Sequence, residues 1–139
     1  MAVAKHPENN PYVQFVRGYP FPGSVWFKKE VLEDVMDYIP NQGDIIVASY
    51  PKTGTTWLQY IVVQIKSKGE LFPKSEDMDK IFPYMERTGV DVLNSLKSPR
   101  MYMHHLPYNL IQKNDKAKVL YIYRRPEDTL VSYYHFSRN

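Results

Sequence analysis

Tyr50-Pro51-Lys52-Thr53-Gly54-Thr55-Thr56-Trp57 lies between the apolar run Ile45-Ile46-Val47-Ala48 and an amphipathic stretch over residues 58–65. A β-rich run, a Gly/Thr/Lys loop and a helix in that order form a phosphate cradle. The loop's backbone N–H groups and the helix N-terminus face one anion together. Gly54 permits close backbone approach, Thr55 and Thr56 add hydroxyl donors, and Lys52 adds a mobile positive charge. The reading is a site for a phosphate or sulfate ester. The order is not that of the Walker A loop, because the lysine precedes the glycine and no glycine stands five positions before Gly54. Taken alone, lysine before glycine is a weak signal, since a Pro-Lys-Thr-Gly turn can be only a turn with a surface lysine.

Outward from the loop, strands and helices alternate. Apolar spacing predicts a helix over residues 28–39, in which Val31, Leu32, Val35, Met36 and Ile39 share a face and Pro40 ends the run. Residues 44–49 form a first strand, whose near-continuous apolar character suits a parallel sheet covered on both faces. A helix is expected over 55–66, a mixed segment broken by Pro73 and Pro83 over 70–86, and a short helix over 90–96. A strand over 100–103, a helical turn over 107–112, a strand over 118–123 and a helix over 126–139 complete the pattern, with Pro126 in the last helix's first turn. Residues 1–24, rich in Pro, Asn and aromatics, read as an irregular lead-in. The fold class is α/β, with a P-loop-like parallel sheet flanked by helices. In such a sheet a ligand sits at the carboxyl ends of the strands, where separate motifs converge.

The string Pro51 to Trp57 resembles the 5′-phosphosulfate loop of the cytosolic sulfotransferases. Two further segments resemble that family in the right order: Ser98-Pro99-Arg100 followed by His105-Leu106-Pro107, and Tyr121-Ile122-Tyr123-Arg124-Arg125-Pro126-Glu127-Asp128 followed by Val131-Ser132-Tyr133-Tyr134. The resemblance runs from about Pro20 to Asn139. It implies 3′-phosphoadenosine 5′-phosphosulfate (PAPS) as cofactor, no metal, and a small-molecule acceptor. By resemblance Lys52 contacts the phosphosulfate and stabilises the leaving phosphate, Thr53, Gly54, Thr55 and Thr56 bind the 5′-side oxygens, and Trp57 stacks on the adenine. Arg124 and Ser132 clamp the 3′-phosphate, and His105 is the general base toward the acceptor. Histidine suits that task because its pKa lies near working pH. His104 is expected to turn to the opposite face and to stand by. Phe21, Trp26, Phe82, Tyr84 and Met85 fall where the family lines its acceptor pocket, and suggest a phenol, a sterol or another apolar alcohol.

The family commonly carries Lys-Thr-His or Lys-Ser-His where this chain has Met103-His104-His105. Lys52 and the loop amides are then the visible electrostatic stabilisers, and Met103 is expected to line the acceptor pocket. The family's members are longer, with a later loop for the 3′-phosphate and a C-terminal dimerisation segment. Residues 1–139 therefore read as one partial domain, the N-terminal half of a protein that could form a homodimer at full length.

Composition narrows the classes. The chain has no cysteine, hence no disulfide framework or thiolate metal site. Residues 1–10 hold no apolar core of signal-peptide length and no stretch approaches a membrane span, so the expectation is a cytoplasmic protein without a membrane partner. The net charge of +3 is mild, and no recognition motif accompanies it, so nucleic acid is not an expected partner. Two readings stay beside sulfuryl transfer. One is a P-loop kinase-like phosphoryl transferase, which needs Mg²⁺ and an acidic residue to hold it; Asp44 precedes its strand rather than ending one. The other is a nucleotide-binding module without catalysis.

Overall fold

Asp44 carries the first structural decision. In the computed structural model, which describes residues 11–71 and 74–138, this carboxylate is buried immediately before the central strand. It accepts from Arg100 Nε at 2.9 Å and Nη2 at 2.7 Å, from Tyr102 Oη at 3.1 Å and from the Asn41 backbone N–H at 2.8 Å. Two carbonyls tie in the neighbouring strands: the Ile45 N–H donates to the Arg100 carbonyl and the Lys118 N–H to that of Asp44, each at 2.8 Å. Three strands thus start from one knot.

The strands are β3 (Ile45–Ser49), β4 (Met101–His104) and β5 (Lys118–Ile122), all parallel in the order β4-β3-β5. Register assigns the faces. Ile46, Ala48, Tyr102, His104, Val119 and Tyr121 share one face. Val47, Met101, Met103 and Leu120 share the other. Between β3 and β4 lie α2 (Thr55–Lys66), α3 (Ser75–Ile81), α4 (Met85–Thr88) and α5 (Val90–Ser95). A 3₁₀ turn, Tyr108–Leu110, leads toward β5, and α6 (Pro126–Ser137) follows it. Helix α1 (Lys29–Asp37) precedes the sheet and buries Leu32, Val35 and Met36. Two cores result. One joins Val16, α1, Ile46, Met85, Leu93 and Tyr102. The other joins Val47, Met101 and Met103 to Val62, Val63, Met78 and Phe82.

Residues 11–24 depart from the expected irregular lead-in. They form an antiparallel hairpin, β1 (Val13–Val16) and β2 (Tyr19–Pro22), closed by Arg17 and Gly18, both at positive φ. Two positive-φ residues in a two-residue loop match the twist of a hairpin. The prolines Pro20 and Pro22 hid it, since proline is tolerated only on such edge strands. Arg17 then pairs with Asp37 of α1. Helix α1 also stops short of Ile39, which is exposed. Residues 1–10, with His6, and Pro73 lie outside the described residues. In strand β5, Val119, Leu120 and Tyr121 are exposed.

The knot yields a stability prediction. Removing one partner of a buried pair leaves the other charge unpaired in a poorly solvating site. Asp44→Ala should destabilise the full-length protein by about 3–5 kcal/mol, read by urea unfolding. A loss below about 1 kcal/mol, the range of an exposed pair, would show that the knot does not hold the sheet.

Candidate active site

Three loops leave the carboxyl ends of the three strands side by side. Residues 50–54 follow β3, residues 105–107 follow β4, and residues 123–125 follow β5. The motifs separated in sequence meet at this edge. A cleft of about 980 Å³ opens beside it, lined by Phe21, Tyr84, Glu86, His104, His105 and Tyr133 among others.

The first loop is held by its own side chains. Thr53 Oγ1 donates to the Tyr50 carbonyl at 2.7 Å, which commits this hydroxyl to the turn. Lys52 takes φ +68°, rare for a side-chain-bearing residue, and Gly54 takes φ +112° at the start of α2. A Cβ on Gly54 would come within 3.1 Å of Ile122 Cδ1, so a side chain there crowds β5. The first N–H groups of a helix have no intrahelical acceptor, and those of α2 follow directly on this loop. The Lys52 ammonium lies 4.3 Å from the centre of the Phe136 ring of α6. Thr55 is buried and its hydroxyl meets Ser49 Oγ at 2.7 Å, while Thr56 is exposed. Trp57 is 66% exposed, which rules out core packing for it.

His105 follows β4 and is held from three sides. Its Nδ1 lies 2.8 Å from the Ser49 carbonyl and 3.2 Å from Ser49 Oγ. A carbonyl can only accept, so Nδ1 carries the proton and Nε2 keeps its lone pair. The His105 backbone N–H donates to Glu86 Oε1 at 2.5 Å. The Tyr84 ring meets the imidazole edge-on at 5.1 Å, and Phe27 meets Tyr84 likewise at 5.9 Å. Burial pushes the His105 pKa down, and the bond to Ser49 partly offsets this. The ring is a neutral base at physiological pH.

The expected residues divide. Phe21, Tyr84 and Met85 line the cleft. Phe82 and Met103, expected to line the acceptor pocket, are instead core residues on the opposite face of the sheet, packed with Val47 and Val63. The cause for Met103 is its register with Val47. Its N–H bonds the Pro83 carbonyl, and so it sets the strand of Tyr84 beside β4. Trp26 is exposed beneath the Arg87 guanidinium. His104, expected to stand by, also lines the cleft, because His105 lies past the end of β4, where strict alternation stops. Arg124 is exposed and has no ion-pair partner among the described residues; Ser132 is half-buried on α6. Arg125 forms an exposed pair with Glu127 at 3.9 Å. Asp44 is committed to Arg100 at the amino end of the sheet, away from the loops, and so is not the acidic residue that phosphoryl transfer requires. Ser49, Glu86 and Tyr133 were not anticipated. Only Glu86 left a trace in the sequence, as a carboxylate directly after the apolar run Phe82-Pro83-Tyr84-Met85.

An α/β sheet with a Lys/Gly turn opening a helix beside a neutral histidine at its carboxyl edge describes the class. Comparison with known proteins defines the family. The sulfotransferase domain matches residues 42–139, and the chain belongs to the sulfotransferase family. It is 41% identical over 127 residues to Sulfotransferase 2A2 of Rattus norvegicus, covering 86% of this chain and 44% of that one. Against the 3-alpha-hydroxysteroid sulfotransferase of Cavia porcellus it is 40% identical over 136 residues, covering 93% and 46%. Against the amine sulfotransferase of Oryctolagus cuniculus it is 39% identical over 115 residues, covering 78% and 38%. The chain thus spans less than half the length of these relatives. A mouse sulfotransferase crystallised with PAP superposes with a TM-score of 0.67 at 24% identity, over 91% of this chain and 44% of that one. A retinol dehydratase in complex with retinol and PAP gives 0.61 at 23%, over 79% and 45%. These two likenesses speak for the fold. Among the described residues no helix is long and apolar enough to cross a membrane.

His104 supplies a pH prediction. Burial pushes its pKa down to about 4, and Nδ1 has no partner among the described residues. Unfolded, the ring takes a proton near its ordinary pKa of about 6.5; folded, it resists until about 4. The unfolded state therefore binds more protons in this window, and stability falls as pH falls through it. His104→Leu should remove a loss of roughly 3 kcal/mol between pH 7 and pH 4, at about 1.4 kcal/mol per unit. Denaturant unfolding of both proteins at the two pH values is the check, and equal acid losses would refute it.

Proposed function

We propose that the chain carries the cofactor loop and the base of an enzyme that moves a sulfuryl group from PAPS to a hydroxyl or amine of a small molecule. The single observation that carries this reading is Ser49. Its carbonyl accepts from His105 Nδ1–H, and its hydroxyl meets Thr55 at the start of α2. One residue therefore couples the base to the anion-binding loop. The donor set suits a phosphosulfate: N–H groups at a helix start, a glycine pressed against β5, and a lysine on the same turn. PAPS, when bound, supplies the sulfuryl group and a phosphate leaving group.

The chain's own residues do the rest. His105 Nε2 takes the proton of the acceptor as its oxygen or nitrogen attacks sulfur. Lys52 and the α2 N–H groups hold the charge that grows on the leaving oxygen, and this stabilisation is largest in the transition state. Trp57, exposed beside the loop, is free to stack on the adenine, and Arg124 with Ser132 supplies a fork and a hydroxyl for the 3′-phosphate. The aromatic lining at Phe21, Phe27 and Tyr84 favours an apolar acceptor. The names of the relatives, a hydroxysteroid and an amine sulfotransferase, support the two acceptor groups. A cytoplasmic location and a homodimer at full length remain part of this reading.

Two variants of the full-length protein test it. Lys52→Ala should lower kcat by about 100-fold or more while the KM for PAPS changes little. Arg124→Ala should weaken adenosine 3′,5′-bisphosphate by roughly 1.5–3 kcal/mol and leave the 5′-monophosphate almost unaffected. Unchanged turnover in the first would remove Lys52 from the mechanism. Equal weakening of both nucleotides in the second would make Arg124 a structural residue.

A further inference from the structure

Glu86 has no part in the chemistry above, yet it touches the base. It sits in the first turn of α4 and is 2% exposed. Oε1 accepts the His105 backbone N–H at 2.5 Å, and the Leu106 backbone N–H also favours its charged form. Oε2 has no hydrogen-bond partner among the described residues. Its chain neighbour Met85 and its backbone partner Leu106 belong to one buried apolar cluster, and beside them a methionine or leucine would cost less to bury. A buried carboxyl with one idle oxygen is a poor way to fill space. Its one strong bond ends on the main chain of His105. The same short segment brings the Tyr84 ring against the His105 imidazole. So the region 84–86 holds His105 twice, by backbone and by ring, while Ser49 holds Nδ1.

We propose that Glu86 is a positioning residue for His105: its buried carboxyl fixes the main chain at the base, so that Nδ1–H stays on the Ser49 carbonyl and Nε2 faces the cleft. The proposal rests on the reading of His105 as the base. It acts through geometry and needs no charge on the carboxyl. Burial pushes the Glu86 pKa up to about 8, so the group is neutral at pH 7. Glutamine then replaces it closely, since an amide oxygen accepts the same N–H. Leucine fills the volume and accepts nothing.

The test compares Glu86→Gln and Glu86→Leu with the parent in the full-length protein. Two readouts are taken: steady-state kinetics, and the ¹⁵N shifts of the His105 ring, which distinguish a protonated Nδ1 from a protonated Nε2. Glu86→Gln should keep most of the parental kcat and the Nδ1–H tautomer. Glu86→Leu should lose about 100-fold in kcat, the scale of a misplacement near 1 Å, with the KM for PAPS little changed and with mixed tautomers at His105. A parental kcat and tautomer in Glu86→Leu would overturn the proposal. So would a glutamine variant as impaired as the leucine one, because a shared failure marks a loss of packing. Should the leucine variant not fold, retention or loss of tautomer and kcat in Glu86→Gln decides alone. If the parent transfers no sulfuryl group, the proposed function falls, while the His105 tautomers of parent and variants still decide the role of Glu86.

Discussion

The buried pair of Asp44 and Arg100 is the constraint on which the site depends. Each charge is almost wholly out of water, at 1% and 5% side-chain exposure. Such burial is costly, and attraction between the two offsets it only when every lone pair and proton is used. Here the carboxylate has four donors: two from Arg100, one from Tyr102 and one from the Asn41 backbone. The geometry admits one register, because Asp44 precedes β3, Arg100 precedes β4 and the Asp44 carbonyl takes the first N–H of β5. A slip by one residue would turn every side chain of a strand to the other face. With the amino ends fixed, the carboxyl ends emerge at set positions, and the three loops meet there. The pair thus acts at a distance on a site it never touches.

At that edge a second economy operates. Ser49, the last residue of β3, shares a face with Ile122 and points toward α2, so its hydroxyl reaches Thr55. Its carbonyl, at the strand end where no ladder partner follows, is free for His105. The main chain of one strand terminus fixes the tautomer of His105, and the side chain fixes the start of α2. The left-handed turn at Lys52 and Gly54 belongs to the same construction. It costs conformational energy at a lysine and is sustained by the Thr53 bond to Tyr50 and by close packing on β5.

How much of this was legible in the sequence depends on the range of the interactions. Helix α2 begins and ends where its spacing predicts, at Thr55 and Lys66, since the glycine before it and the apolar period within it are local signals. The parallel α/β class was equally plain. The hairpin was not, because proline-rich β2 lacks an ordinary strand signature and its stability comes from Val16 in the core and Arg17 on Asp37. Met103 and Phe82 were misplaced for a different reason. Their neighbours in sequence line the cleft, but pairing with β3 sends Met103 to the other face, and Phe82 packs beside it. Ser49 could not be read at all, and Glu86 only as a carboxylate after an apolar run. Their partners stand 56 and 19 positions away, and nothing local distinguishes a serine or a glutamate that will meet a histidine.

The two faces of the sheet end with opposite characters, and this asymmetry gives the cleft its direction. On the α2 side the methionines and valines close a dry core. On the other side Ala48 is small and His104 is polar, and beyond them the surface widens into the cleft. Hydrogen-bonding groups concentrate at one rim, at Ser49, His105 and Glu86, while Phe21, Phe27 and Tyr84 line an aromatic wall. On the proposed function, an acceptor with an apolar body and one hydroxyl would gain most by laying its body on that wall and turning its hydroxyl to the rim. There Nε2 of His105 carries the lone pair, and the Lys52–Gly54 loop stands one strand away on β3. The reverse orientation would strand the hydroxyl against rings that cannot pair with it, a penalty of about 1–3 kcal/mol for a buried polar group. On the proposed function, the orientation of an acceptor would follow from where the sheet leaves its polar atoms.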